Sequence, residues 1–146
     1  MEKDFISGER ITQYLPQRFP FLLLDQITSF EKNEWAKGCK VIAAKEPFLL
    51  QDTEQNWPSE LVIESLGQLT IALINVSNDA DKAPQILLGS ISGVTQHAPI
   101  PLACRLDMSV RLEVLSEDSF VTSGFAEVDG TRVLTMDSLV AKIIKE

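Results

Sequence analysis

The sequence predicts an α+β domain in which an antiparallel sheet of about six strands wraps around one central helix. Three observations predict it. The chain holds a single long helical pattern, over residues 58–76. Its apolar residues, among them Val62, Ile63, Leu66, Leu69, Ile71, Leu73 and Val76, fall on every side of a 3.6-residue wheel, and a helix that is apolar all round must be buried all round. The rest of the chain reads as strands joined by hairpin signals, which makes the sheet mostly antiparallel. At 146 residues and 45% hydrophobic content, the chain is one domain, 1–146, with enough apolar surface for a core.

The elements follow in order. Ser7 precedes a weak helical pattern from Ile11 to Tyr14, which Pro16 ends. A turn through Pro16 and Pro20 leads into a strand over 23–31. Lys32, Asn33 and Glu34 form a hairpin turn, and 35–44 is the returning strand, in which Gly38 marks a bulge. Residues 45–57 form a loop. At its end Asn56 caps the central helix and Pro58 fits the first turn. Glu64, Gln68 and Asn75 interrupt that helix, which reads as too short and too polar to span a bilayer.

Beyond a polar exit loop, residues 85–95 form a strand that Pro99 and Pro101 break. Leu106, Met108, Val110, Leu112 and Val114 then alternate with Asp107, Ser109, Arg111 and Glu113. That is a period of two with one wet face. Residues 120–128 and 131–144 are the last strands, joined by Asp129 and Gly130, a strong two-residue hairpin signal. A single sheet covers only part of an all-apolar helix. A second copy or a related partner would cover more, so a dimer is expected.

Composition excludes several functions. A net charge of −8 argues against nucleic-acid or anionic-membrane binding, which needs a basic surface. No basic-then-apolar leader opens the sequence, so a cytoplasmic protein is expected. Cys39 and Cys104 match no metal spacing and read as two free thiols. No metal and no cofactor are expected. His97 is the single histidine, so no site can use two; it reads as structural or surface-exposed.

Glu64 and Gln68 sit four apart, on one face of the helix. A carboxylate buried there is costly unless it has partners or a task. Two readings stay open: a catalytic or substrate-facing carboxylate, or an inherited group that hydrogen-bonds Gln68 or a nearby backbone N–H.

Three segments carry a resemblance. Residues 15–25 (LPQRFPFLLLD), 46–48 (EPF) and 58–68 (PSELVIESLGQ) resemble, in that order, the opening segment, the start of the catalytic loop and the central helix of FabZ-type 3-hydroxyacyl-(acyl carrier protein) dehydratases. Residues 128–130 (VDG) are similar to the family's late hairpin. The resemblance implies the hotdog fold. It also implies a site at a dimer interface, where a loop histidine of one subunit and a helix glutamate of the other flank an acyl thioester. Glu64 matches that glutamate and Gln68 the motif glutamine. The histidine does not carry over. The loop is two residues shorter than the family pattern, and counting forward from Glu46 puts Gln51 on the family glycine and Asp52 on the histidine. Gln17 replaces the histidine of the opening motif.

The resemblance therefore implies candidate catalytic residues Glu64 and Asp52, and substrate-binding residues Gln68, Trp57, Pro58 and Ser59. Trp57 could line an acyl tunnel; a plug for the space the shorter loop leaves, or ordinary core packing, is the favoured reading. Arg18 and Arg105 are candidate phosphopantetheine anchors, with solvated surface arginine as the default. The function implied is that of a dehydratase-like protein of fatty-acid or polyene-type acyl-thioester metabolism. The acyl group would be carried on acyl carrier protein or CoA. The chain would act as a homodimer, or as a heterodimer whose related hotdog partner supplies the histidine, as in aryl-polyene-type pathways. A hotdog thioesterase, with Glu64 or Asp52 as the base for a water, and a non-catalytic acyl-binding protein stay open beside it.

Overall fold

The computed structural model describes residues 5–46, 56–78 and 85–144. A single 3-10 turn, Ile11–Gln13, precedes strands β1 (Gln26–Glu31) and β2 (Trp35–Ile42). The helix α1 (Ser59–Ser77) follows, then β3 (Gln85–Gln96), β4 (Cys104–Leu115), β5 (Ser119–Val128) and β6 (Thr131–Ile144). The six strands form one sheet in the order β1-β2-β4-β5-β6-β3. Every described neighbour pair is antiparallel. This is the expected sheet, curled over one helix.

The hairpin chemistry held at both tight turns. Asn33 has φ 61°, and Asp129 and Gly130 have φ 50° and 78°. Two positive φ values in succession make the β5–β6 turn a type I′, whose twist suits antiparallel strands. Between β1 and β2, however, the bulge is not at Gly38. The register slips on β1, between Ile27 and Ser29. Gly38 answers to a close approach instead. A Cβ there would lie 2.8 Å from the Gln26 carbonyl oxygen and 3.0 and 3.2 Å from methyls of Leu24 and Leu69. Gly38→Val should therefore destabilise the fold by about 3 kcal/mol, measured by urea denaturation.

Thirteen of the 19 residues of α1 are buried, which makes it the core helix. By length and composition alone it would pass as a membrane span, contrary to the sequence reading; its enclosure by the sheet decides the matter. Buried polar groups on it are matched, apart from Asn75 Oδ1, which has no partner among the described residues. Thr70 and Thr122 share a hydroxyl hydrogen bond of 3.1 Å that ties the helix to β5, and the Ser65 hydroxyl donates to the Leu61 carbonyl.

Pro58, not Asn56, occupies the N-cap position, and it makes no side-chain cap hydrogen bond. Asn56 is exposed and bridges to Pro101. The Trp57 N–H donates to the Ile100 carbonyl at 2.7 Å. Pairing with the 100–101 segment, rather than a cap, sets the entry to the helix.

The core sits between α1 and the inward-facing residues of β2, β4, β5 and β6. Leu106, Met108 and Val110 are buried, but Leu112 is only partly so and Val114 is exposed. The alternation continues into a stretch that the described residues leave largely uncovered. At the opposite edge, β3 pairs only with β6 and is exposed along most of its length, Leu87, Ile91 and Val94 included.

Candidate functional site

Gln68 organises the site. It is 1% exposed, and its amide is fully engaged. The Leu23 N–H donates to Gln68 Oε1 at 2.7 Å. Gln68 Nε2 donates to the Phe21 carbonyl at 2.9 Å and, more weakly, to Glu64 Oε1 at 3.4 Å. The helical spacing puts Gln68 one turn beyond Glu64. It therefore holds both the 21–23 segment and the carboxylate. Its groups are spent on protein partners, so its role is positioning rather than substrate contact.

Glu64 itself is exposed. The sequence reading had it buried, and for the single chain this is a correction. The sheet and the 14–23 segment cover most of α1, but Glu64, one turn before Gln68, is left open. Phe21, whose carbonyl Gln68 holds, is 62% exposed, and Leu61, one turn before Glu64, is half-buried. A carboxylate in contact with a buried amide and left open on this side is a half-built site.

The motif residues around it are anchors. Arg18 spends its guanidinium on the carbonyls of Leu15, Gln17 and Thr12, at 2.7, 2.8 and 3.2 Å. Asp25 Oδ2 accepts from the Val41 N–H at 2.6 Å. Glu46 Oε1 accepts from the Ala43 N–H at 2.6 Å and lies 3.8 Å from the Lys40 ammonium. Asp25 and Glu46 together fix where the chain leaves β2, and Arg18 braces the 12–18 turn. Pro58 and Ser59 stand at the uncapped start of α1, where backbone N–H groups and the helix dipole favour a negative oxygen.

Trp57 is buried in the main core cluster. Its indole N–H is buried without a hydrogen-bond acceptor among the described residues.

None of the other candidates among the described residues joins this site. Asp52 and Gln51 lie outside the described residues. His97 stands past the end of β3, where its Nε2 is 3.1 Å from the Thr135 hydroxyl. Arg105 pairs with Asp107 at 2.8 Å on β4, and it and Arg18 are both surface arginines. Cys39 and Cys104 are both free thiols. Burial, and then Asp129 and Asp107, push the Cys104 thiol above its ordinary pKa, so it stays protonated near neutrality.

The sequence reading missed a groove on the outer face of the sheet, about 590 Å³ in volume. Lys37, Arg111 and Arg132 line it with the single carboxylate of Asp137, and Ser109 and Gly124 belong to its small-residue lining. Trp35 and Phe125 flank it, with the Arg132 guanidinium 3.7 Å from the Phe125 ring centre. Strand register brings Trp35 opposite Arg111 and Lys37 opposite Ser109. The one available signal was the outward parity of these residues on separate strands, and parity does not fix register.

With the geometry in hand, known proteins can be compared. The model of the ApeP-like family, described as ApeP dehydratase, matches residues 9–136. The 3-hydroxyacyl-[acyl-carrier-protein] dehydratase FabZ of Clostridium botulinum is 31% identical over 138 residues, 91% of this chain and 96% of that one. FabZ of Thermomicrobium roseum is also 31% identical, over 86% of this chain and 85% of its own. Among solved structures, the dehydratase heterocomplex ApeI:P from Xenorhabdus doucetiae superposes with a TM-score of 0.81 at 21% identity, covering 93% of this chain and 91% of that one. At that identity the superposition establishes the hotdog fold.

Proposed function

Because this chain belongs to the ApeP-like family of FabZ-like dehydratases, we propose that it is one half of a two-subunit 3-hydroxyacyl-thioester dehydratase. It supplies Glu64, and a related hotdog subunit supplies the histidine. The histidine takes the α-proton of the acyl thioester. The C3–O bond breaks as the Glu64 carboxyl gives its proton to the departing hydroxyl, which leaves as water. The uncapped start of α1 at Pro58 and Ser59 polarises the thioester carbonyl as negative charge develops on it. Asp52 is kept as a candidate in the loop opposite; the partner's histidine makes it dispensable as the base.

The observation that carries this reading is the exposure of Glu64 while Gln68 holds it in place. A general acid for elimination works in a water-excluded site, and this chain leaves that side of α1 uncovered. A partner laid across Phe21 would close it. The edge of β3 supports the same conclusion, because an exposed apolar edge strand is a template for another chain. The acyl carrier is taken to be acyl carrier protein, whose acidic surface suits the outer groove with Lys37, Arg111 and Arg132 on this otherwise acidic chain. We place the reaction in the cytoplasm, where two unbridged thiols stay reduced.

Coexpression with a histidine-bearing hotdog paralogue tests the proposal. The purified pair should release water from 3-hydroxyacyl-(acyl carrier protein), followed by enoyl product formation, and each subunit alone should not. Full activity of this chain alone would overturn it.

A further inference from the structure

The groove on the outer face of the sheet has a chemistry of its own. It lies on β2, β4, β5 and β6, all four described over their full lengths. Ala36 and Val110 alternate with lining residues of β2 and β4 and belong to the core. The groove therefore faces away from α1 and Glu64. Strand register lays its lining out in two rows. Lys37, Ser109, Phe125 and Thr135 stand opposite one another in turn, and Trp35, Arg111 and Ser123 form the next row. Ser109 on the middle strand is small, so a wall on β2 faces a wall on β5 across it. Two strand spacings separate those walls, about 9.6 Å. A flat ring held between two surfaces needs about 7–8 Å.

Each wall joins a ring to a cation. The Lys37 ammonium is 5.7 Å from the Trp35 ring centre, and the Arg132 guanidinium is 3.7 Å from that of Phe125. Arg132 covers one face of Phe125 and, being exposed, leaves its own far face open. Arg111 is the third cation, and its guanidinium makes no ion pair or hydrogen bond among the described residues. The nearby carboxylates are turned elsewhere. Asp137, the one acid in the lining, lies over Gly93 on β3, in the space that a Cβ there would take. Glu113 accepts from the Ser123 hydroxyl at 2.7 Å. Glu127 is 3.9 Å from the Arg132 guanidinium, at the long end of an ion pair. On a chain of net charge −8 this cluster is a local excess of positive charge.

We propose that the groove binds a small planar anion, an aromatic ring that carries an acidic group. The ring lies between the Trp35 and Phe125 walls, against the open face of the Arg132 guanidinium. The acidic group meets Lys37 and Arg111, diagonal neighbours on adjacent strands about 7–8 Å apart. Negative charge follows from cations that lack a counter-charge, and flatness from the width of the slot and the rings beside it. The volume of about 590 Å³ is within the range of small-molecule sites. The inference does not rest on the dehydratase reading. An acidic carrier protein would draw on the same cations, so ligand and carrier would exclude each other.

The test uses the full chain, isotope-labelled, and three probes. They are 2-naphthoate, its neutral counterpart 2-naphthamide, and cyclohexanecarboxylate, an anion without a flat ring. 2-Naphthoate should shift the Trp35 indole N–H and the backbone amides of Ser109 and Phe125, saturably. Each of the other two should bind roughly tenfold more weakly. Arg111→Gln should weaken 2-naphthoate by a similar factor, and because Arg111 is exposed and unpaired the fold should survive the change. Equal binding of 2-naphthamide would remove the charge from the recognition, and equal binding of cyclohexanecarboxylate would remove the rings; either overturns the proposal. Undiminished binding to Arg111→Gln would overturn it too. No saturable shift at millimolar concentration would do the same, and would leave the groove to a carrier protein.

Discussion

Glu64→Gln, assayed in the complex with a histidine-bearing partner, is expected to lower kcat for dehydration by roughly 10²–10⁴-fold, the usual worth of a positioned general acid. The substitution is nearly isosteric and keeps an oxygen that can accept from Gln68 Nε2, the 3.4 Å contact that holds the native carboxylate. Because Glu64 is exposed in the single chain, folding stability should change by less than about 0.5 kcal/mol. Complex formation, followed by size-exclusion chromatography, should also survive. The prediction thus separates chemistry from assembly. Wild-type kcat in the variant pair would remove Glu64 from the reaction.

Gln68→Leu is expected to have the second large effect, through the fold. The Leu23 N–H and the Phe21 carbonyl each lose their partner, and a buried polar group left unsatisfied costs about 1–3 kcal/mol. A loss of about 3 kcal/mol in urea denaturation is expected. The 21–23 segment should loosen and Glu64 should lose its neighbour. Well below the unfolding transition, kcat of the pair should still fall about tenfold, the loss of one positioning hydrogen bond. A variant that is destabilised but fully active at low temperature would show that Gln68 braces the fold and does not position the acid.

Much of the architecture was legible in the residues. The all-round apolar pattern at 58–76 required a wrapped helix, and α1 spans Ser59–Ser77. The Asp129 and Gly130 turn adopts the two positive φ values that its residue types favour. These are local rules, written in consecutive residues. The errors were also of one kind. Gly38 was read as a bulge because an isolated strand glycine often is, yet here it makes room for the Gln26 carbonyl and the Leu69 side chain. Asn56 was read as a cap because of its type and position, yet the chain spends that stretch pairing with Pro101. Each error depended on a neighbour distant in sequence.

The amino-acid order by itself determined that a carboxylate and an amide share one face of the only long helix, one turn apart, because helical periodicity is a property of spacing alone. It also determined that the loop lacks the family histidine. Only the tertiary structure decided that Gln68 is the clamp, that Glu64 is exposed, and that Lys37, Arg111 and Arg132 share one groove. Those outcomes depend on strand register and on which face the sheet leaves open, and both are set by contacts between residues tens of positions apart.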